Sequence, residues 1–227
     1  MKHTLDNPAW HALTSGNSNL ALGSNTVKFF DSEVSPFAGM VENTQEYFSE
    51  LFELIPANRP VLLMSTTKME LYGDWKLLGT VEGLQMIHET DELPELNSDI
   101  IVPLTELHVP QMVELTKLTN PGPFAKRTIE FGHYNGVLES DKLVAMAGQR
   151  LYATPYTEIS AVCTHPDHLG KGYARQLLIS QVKRMKAAGT IPYLHVRGDN
   201  ARAIAVYESL GFKRRADAFF YVVMKEQ

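Results

Sequence analysis

Cysteine is nearly missing from this chain: Cys163 is the only one in 227 residues. A disulfide framework within the chain and a Cys-rich zinc module are thereby excluded. A reducing compartment is the natural setting. Long apolar runs are missing too. The longest, Ala218 to Met224, has seven residues, against the ~20 that a membrane-spanning helix needs. The opening Met-Lys-His-Thr-Leu-Asp-Asn-Pro has no apolar leader segment, so a cytoplasmic protein that does not enter a membrane is expected. Cationic surplus is also lacking, with 21 Lys and Arg against 26 Asp and Glu. That balance argues against a general nucleic-acid binder, which must neutralise phosphates. Internal repeats and low-complexity tracts are absent.

What is present suits a globular chain. Apolar residues make up 44% and charged residues 21%, enough for a sizeable core in one large domain or two small ones. Charge is uneven. The first 157 residues hold 10 basic and 20 acidic side chains, while the last 70 hold 11 and 6. The final third can attract an anionic ligand even though the whole chain repels a polyanion.

Residues 1–30 are rich in Asn, Ser, Thr and Gly and read as a loosely ordered start ending in a strand at Thr26–Phe30. Met40 to Ile55 has the apolar spacing of an amphipathic helix stopped by Pro56. Val61–Ser65 and Gln85–His88 read as strands, and 91–99 as a linker. Ile100–Leu104 is a strand candidate and Val109–Leu118 a helix, followed by a break at Asn120-Pro121-Gly122-Pro123. His133–Glu139 and Lys142–Leu151 read as strands joined by a turn at Ser140-Asp141, with Glu158–Thr164 as a third strand. Gly170 to Ala188 reads as a loop and a helix with the stripe Ala174, Leu177, Leu178, Val182 and Met185, stopped at Gly189. A strand at Pro192–Val196, a helix at Asn200–Leu210 closed by Gly211, and a last strand at Phe219–Met224 complete the chain.

The segment from Glu158 to Ala174 runs from a buried strand through a short glycine loop directly into a helix. The first N–H groups of a helix have no internal partner and the dipole there is positive. Glycine lets the backbone approach a ligand closely. Strand, loop and helix start together make a site for phosphate or pyrophosphate, with Lys171 and Arg175 adding charge. A plain strand–turn–helix junction would use glycines for turn geometry alone. Two nucleotide motifs fail. A mononucleotide P-loop needs Ser or Thr after its lysine, and Lys171 is followed by Gly172. A dinucleotide fingerprint needs a third small residue where Arg175 stands.

The six residues Leu169-Gly170-Lys171-Gly172-Tyr173-Ala174 resemble the acyl-CoA pyrophosphate loop of the GNAT superfamily of N-acetyltransferases, Gln/Arg-x-x-Gly-x-Gly/Ala. Gly172 and Ala174 match, and Leu169 departs from the usual Gln or Arg. Downstream, Asn200, Ala203, Tyr207, Gly211 and Phe212 match every marked position of the family's N-x-x-A-x-x-x-Y-x-x-x-G-F segment. The resemblance covers roughly residues 100–227. A divergent half placed before this module is similar to the glycine N-acyltransferase-like branch.

The resemblance implies a mixed α/β (α+β) fold: an antiparallel-rich central sheet flanked by helices, preceded by a smaller divergent α/β half at 1–99. It implies acetyl-CoA as cosubstrate, an unidentified amine of a small molecule or peptide as acceptor, and direct attack in a ternary complex. A homodimer is left open. Leu169 to Ala174 with Arg175 would hold the cofactor phosphates, Asn200 would contact the cofactor, and backbone groups of Val162, Cys163 and Thr164 would pair with the pantetheine arm where the fourth strand splays from the fifth. A backbone N–H near Val162 or Cys163 would serve the oxyanion. Glu158 precedes Gly172 by 14 residues, the spacing of relatives that use a strand-borne glutamate as general base. A surface glutamate at a strand start is the plain reading of the same residue, and His195 and His133 are weaker base candidates. Tyr207 is the general-acid candidate, or else a core aromatic. Asn200 also suits a helix N-cap. Cys163 reads as a packing residue, and His165 and His168 lack the partners of a metal site. Specificity is expected in the N-terminal half and in 119–135. The rivals to a transferase are a non-catalytic CoA-binding regulatory module and a nucleotide-dependent oxidoreductase.

Overall fold

The computed structural model describes residues 3–226. In chain order the elements are α1 (Pro8–Leu13), β1 (Ala21–Gly23), β2 (Val27–Phe30), β3 (Ala38–Met40), α2 (Gln45–Leu54), β4 (Val61–Ser65), β5 (Lys76–His88), β6 (Val102–Pro103), α3 (Val109–Thr119), β7 (Asn135–Glu139), β8 (Lys142–Ala153), β9 (Tyr156–Thr164), α4 (Tyr173–Ala187), β10 (Ile191–Arg197), α5 (Ala201–Ser209) and β11 (Phe212–Met224). Strands β1, β2 and β3 form a small antiparallel sheet. The other eight form one mixed sheet in the order β4-β11-β5-β10-β9-β8-β7-β6. Strand β5 lies between β11 and β10, so residues 61–88 share one sheet with 102–224. Among the described residues no helix is long and apolar enough to cross a membrane.

Alternation along each strand sends neighbouring side chains to opposite faces. On β10, Leu194 packs under α4 and α5 with Leu178, Val182 and Leu210. Its neighbour Tyr193 packs on the other face with Leu5, just ahead of α1, and with Leu13, Met112 and Met146 of α1, α3 and β8. Helix α4 buries more than the expected stripe, Ile179 and Gln181 included, because it touches both the β7–β8 side and the β10–α5 side of the sheet. Ser140 and Asp141 both have positive φ, 49° and 62°, the two-residue turn that matches strand twist in a hairpin.

The N-terminal start is not loosely ordered. Leu5, Ala12 and Leu13 are fully buried. Leu5, Ala9, Ala12 and Leu13 carry a helical apolar spacing inside a polar composition, and α1 packs on β8. The helix expected from Met40 begins at Gln45, because Thr44 caps it by accepting the Tyr47 N–H and Ala38–Met40 is taken up by β3. Strand β11 begins at Phe212 rather than Phe219, and β5 at Lys76 rather than Gln85. Much of the added length pairs β5 with β11, where an exposed first half of β5 shows no apolar alternation. Arg215 is the extra residue of a bulge in that pairing. It reaches the Asp6 carboxylate and donates to Gln85 Oε1 at 2.7 Å, tying the N-terminus to the sheet.

Candidate active site

Strands β9 and β10 are the parallel pair of the sheet, and they pair only at Tyr156, Thr157 and Glu158 against Ile191, Pro192 and Tyr193. Beyond that point they separate. Ala161 sits at φ 54° where the β8–β9 register shifts. His165 donates its N–H to Val144 O at 2.7 Å, which fixes the hydrogen-bonding parity of the paired residues Met146 and Cys163. The backbone groups of Val162 and Thr164 therefore point to the side that β10 has left.

A groove of about 490 Å³ lies at this opening. It is lined by Val162, Cys163 and Thr164 from β9, by Leu169, Gly170, Gly172, Tyr173, Ala174 and Arg175 from the loop and first turn of α4, and by Asn200 and Tyr207 of α5 with its cap. Eleven of the thirteen sequence-derived site residues thus meet in one place. His168, Leu178, Arg202, Ala203 and Val206 also line it. Of these, Arg202 adds a cation that motif matching passed over, although its place two residues after Asn200 on the same helix start pointed to it.

Several features fit the groove to an acyl-CoA. Gly170 and Gly172 have φ 82° and 79°, and a Cβ on either would meet nothing within 4 Å. Gly172 is the N-cap of α4 and no side chain caps that helix, so its first-turn N–H groups remain for a ligand. Thr164 Oγ1 is buried without a hydrogen-bond partner among the described residues. Asn200 accepts the Ala203 N–H at 3.1 Å, so it is an N-cap as well as a lining residue. Leu169 is half exposed at the mouth.

Lys171 does not line the groove. Its ammonium donates to Glu139 at 2.8 and 3.2 Å, and the Tyr173 hydroxyl donates to the same carboxylate. Hydrogen bonds from Lys171 and Tyr173 hold Glu139 down to about 2. Burial pushes the Cys163 thiol up to about 11 and the Tyr207 phenol up to about 12.

Glu158 is not a surface glutamate. It is fully buried and faces away from the groove. Arg150 donates to it twice, Nε to Oε2 at 2.8 Å and Nη2 to Oε1 at 2.7 Å. The Leu151 N–H donates to Oε2 at 3.3 Å. Gln85 Nε2 donates to Leu5 O and to His195 Nε2, and Arg215 fixes the amide by donating to Gln85 Oε1. His195 Nε2 is therefore an acceptor, and Nδ1 carries the proton donated to Glu158 Oε1 at 2.7 Å. Burial alone would raise the Glu158 pKa; the Arg150 charge and the bonds from Arg150 and His195 overcome it and hold the carboxyl near 2. His133, the other histidine considered, lines neither this groove nor the next cavity, and its carbonyl accepts from Gln181.

Arg150 and His195 line a second cavity, of about 260 Å³, on the face of the sheet that carries α1 and α3. Phe37 and Leu62 from the N-terminal half, Phe220 and Val222 from β11, and Asn120-Pro121-Gly122-Pro123 close it. The groove takes its β9 wall from Val162–Thr164 and this cavity takes its β10 wall from His195–Arg197, so the divergence of the two strands lies between them.

Residues 134–221 match the FR47-like protein family model. A solved GNAT-family protein from Novosphingobium aromaticivorans is 32% identical, covers 100% of both chains and superposes with a TM-score of 0.92. N-alpha-acetyltransferase RimI of Mycobacterium tuberculosis is 39% identical over 85 residues, 36% of this chain and 52% of that protein. Mycothiol acetyltransferase of Nocardiopsis dassonvillei is 38% identical over 60 residues, 26% of this chain and 18% of that protein. The chain spans about half or less of the length of the curated relatives it matches. The full-length match places this chain in the GNAT family.

Proposed function

We propose that the chain is an N-acetyltransferase that moves the acetyl group of acetyl-CoA onto the amine of a small molecule by direct attack in a ternary complex. The observation that carries this reading is the continuity of three features: an uncapped helix start behind two open glycines, a strand whose free backbone groups face a gap, and a second small cavity beside that gap. The finer placement near the glycine N-acyltransferase-like branch rests on the sequence resemblance, with residues 61–88 built into the same sheet as 102–224.

Gly170 to Arg175 bind the pyrophosphate through backbone N–H groups and the α4 dipole, and Val162 and Thr164 pair with the extended arm. The amine nitrogen bonds to the thioester carbonyl carbon, the C–S bond breaks, the nitrogen loses a proton and the sulfur gains one. The Val162 N–H stabilises the developing oxyanion, a role worth about 3 kcal/mol when well aimed. Tyr207 supplies the proton to sulfur. Burial holds the Tyr207 phenol protonated at neutral pH, at about 12.

Both Glu158 oxygens are engaged and its pKa is low, which suits a residue that holds Arg150 and His195 rather than a base. The amine accordingly reacts in its unprotonated form, with its first proton lost to solvent.

The test is release of free CoA thiol from acetyl-CoA in the presence of a panel of primary amines, with the acetylated product identified by mass. Transfer to one or more amines is expected. Tight acetyl-CoA binding with no transfer to any amine would favour the non-catalytic regulatory module.

A further inference from the structure

The small cavity beside the gap is built around one incompletely used cation. Arg150 is more than nine-tenths buried, and Nε and one N–H of Nη2 are spent on Glu158. Among the described residues Nη1 has no hydrogen-bond partner. It faces the Pro121–Pro123 wall of the cavity, where a Cβ on Gly122 would come within 3.8 Å of it. A guanidinium donates through five N–H groups in a fixed fork, and a carboxylate is the planar partner that fits a free edge of that fork. The ion pair with Glu158 fixes the direction of that edge, and the Phe37 ring stacks on the guanidinium at 4.7 Å.

The rest of the lining narrows the ligand further. Among the described residues no acidic side chain lines the cavity, whose ionisable members are Arg150, His195 and Arg197. A polyamine or another polycation finds no counter-charge there. The remaining walls are aromatic, aliphatic and proline. The volume, about 260 Å³, lies below the roughly 300–1,000 Å³ of sites for drug-sized ligands.

Resting on the transferase reading above, we infer that the acceptor is a small amine bearing a carboxylate close to its amino group and an apolar side chain, and that Arg150 Nη1 binds that carboxylate. An N-terminal peptide amine has an amide at the same place and lacks the charge. Arg150 is in this account a binding residue for the acceptor, and Glu158 and His195 position it.

The experiment uses the wild-type chain with acetyl-CoA and compares alanine, leucine and phenylalanine with their carboxamides and with short peptides that begin with the same residues. Counted per unprotonated amine, since an amide or peptide has the lower amine pKa, the free acids are expected to exceed the amides in kcat/KM by roughly tenfold to a hundredfold, the worth of one hydrogen bond between charged groups. Arg150→Lys, which keeps the charge beside Glu158, is expected to bring the acid-to-amide ratio towards one. Equal or better turnover of amides or peptides per unprotonated amine overturns the inference, as does an unchanged ratio in Arg150→Lys, or acetyl-CoA binding with no acetylation of any free acid. Acetyl-CoA affinity is measured on the same preparation: its absence would refute the transferase reading itself, whereas its presence with the wrong acceptor preference refutes only the carboxylate.

Discussion

Arg150 and Glu158 meet inside the sheet through two parallel hydrogen bonds of 2.8 and 2.7 Å, with His195 on the same carboxylate at 2.7 Å. The pair bridges β8 and β9 just where β10 pulls away, so a structural clamp and one wall of the proposed acceptor cavity are the same group of atoms.

That clamp makes the fold acid-sensitive. Glu158 is held to about 2 in the folded chain, below the ~4.3 of a free glutamate. Its contribution is therefore complete above about pH 5 and fades as the pH falls through 4 towards 2. Urea midpoints measured from pH 7 to pH 3 should fall accordingly. Glu158→Gln should lower stability at pH 7 by about 3–5 kcal/mol, because Arg150 loses its partner, and should flatten this part of the pH dependence.

Engagement of both Glu158 oxygens also sets the pH profile of catalysis. With the acceptor reacting as the free amine, kcat/KM should rise about tenfold per pH unit up to the acceptor's own pKa. A profile that is flat from pH 5 to 8 would return the base role to Glu158.

Tyr207→Phe should lower kcat about 10²-fold, the lower end of what a positioned acid contributes, with the acetyl-CoA KM almost unchanged. The phenol has no hydrogen-bond partner among the described residues, and its ring packs edge-on against Phe212. The melting temperature should therefore barely move. Steady-state kinetics on both forms decide it.

Cys163 should be a poor target for thiol reagents. At a pKa of about 11 and almost fully buried, it is thiolate in less than ~1 molecule in 10³ at neutral pH. As the sole cysteine it gives a clean readout by mass. Iodoacetamide labelling should be far slower than for a free thiol, and Cys163→Ala should retain transfer activity. Rapid labelling with loss of activity would contradict its packing role.

The parts legible in the sequence were those with a local physical cause. Gly170 and Gly172 are glycines because φ near 80° leads into α4. Asn200 precedes α5 because it caps it, and Tyr207 falls on that helix's groove side through helical spacing. Strand β4 and the β7–β8 turn followed from apolar runs and turn residues. The N-terminal half was harder. Leu5 and Ala12 lie among polar residues, and only the β8 surface that α1 meets shows why they are buried. The Arg150–Glu158–His195 group was illegible because it joins three strands through irregular register, with β8 and β9 shifting between Gln149 and Tyr152. Residues 120–123 were readable as a break, but only tertiary contacts set them over a cavity.

The central claim is that the groove between β9, the α4 start and α5 holds acetyl-CoA. Calorimetric titration of the wild-type chain and of Gly172→Glu tests it most directly. The account predicts saturable one-to-one binding by the wild type. In the variant, like charge against the pyrophosphate costs several kcal/mol and should weaken affinity by at least about a hundredfold with the fold retained. Absence of wild-type binding at millimolar acetyl-CoA, or equal affinity in Gly172→Glu, would contradict it.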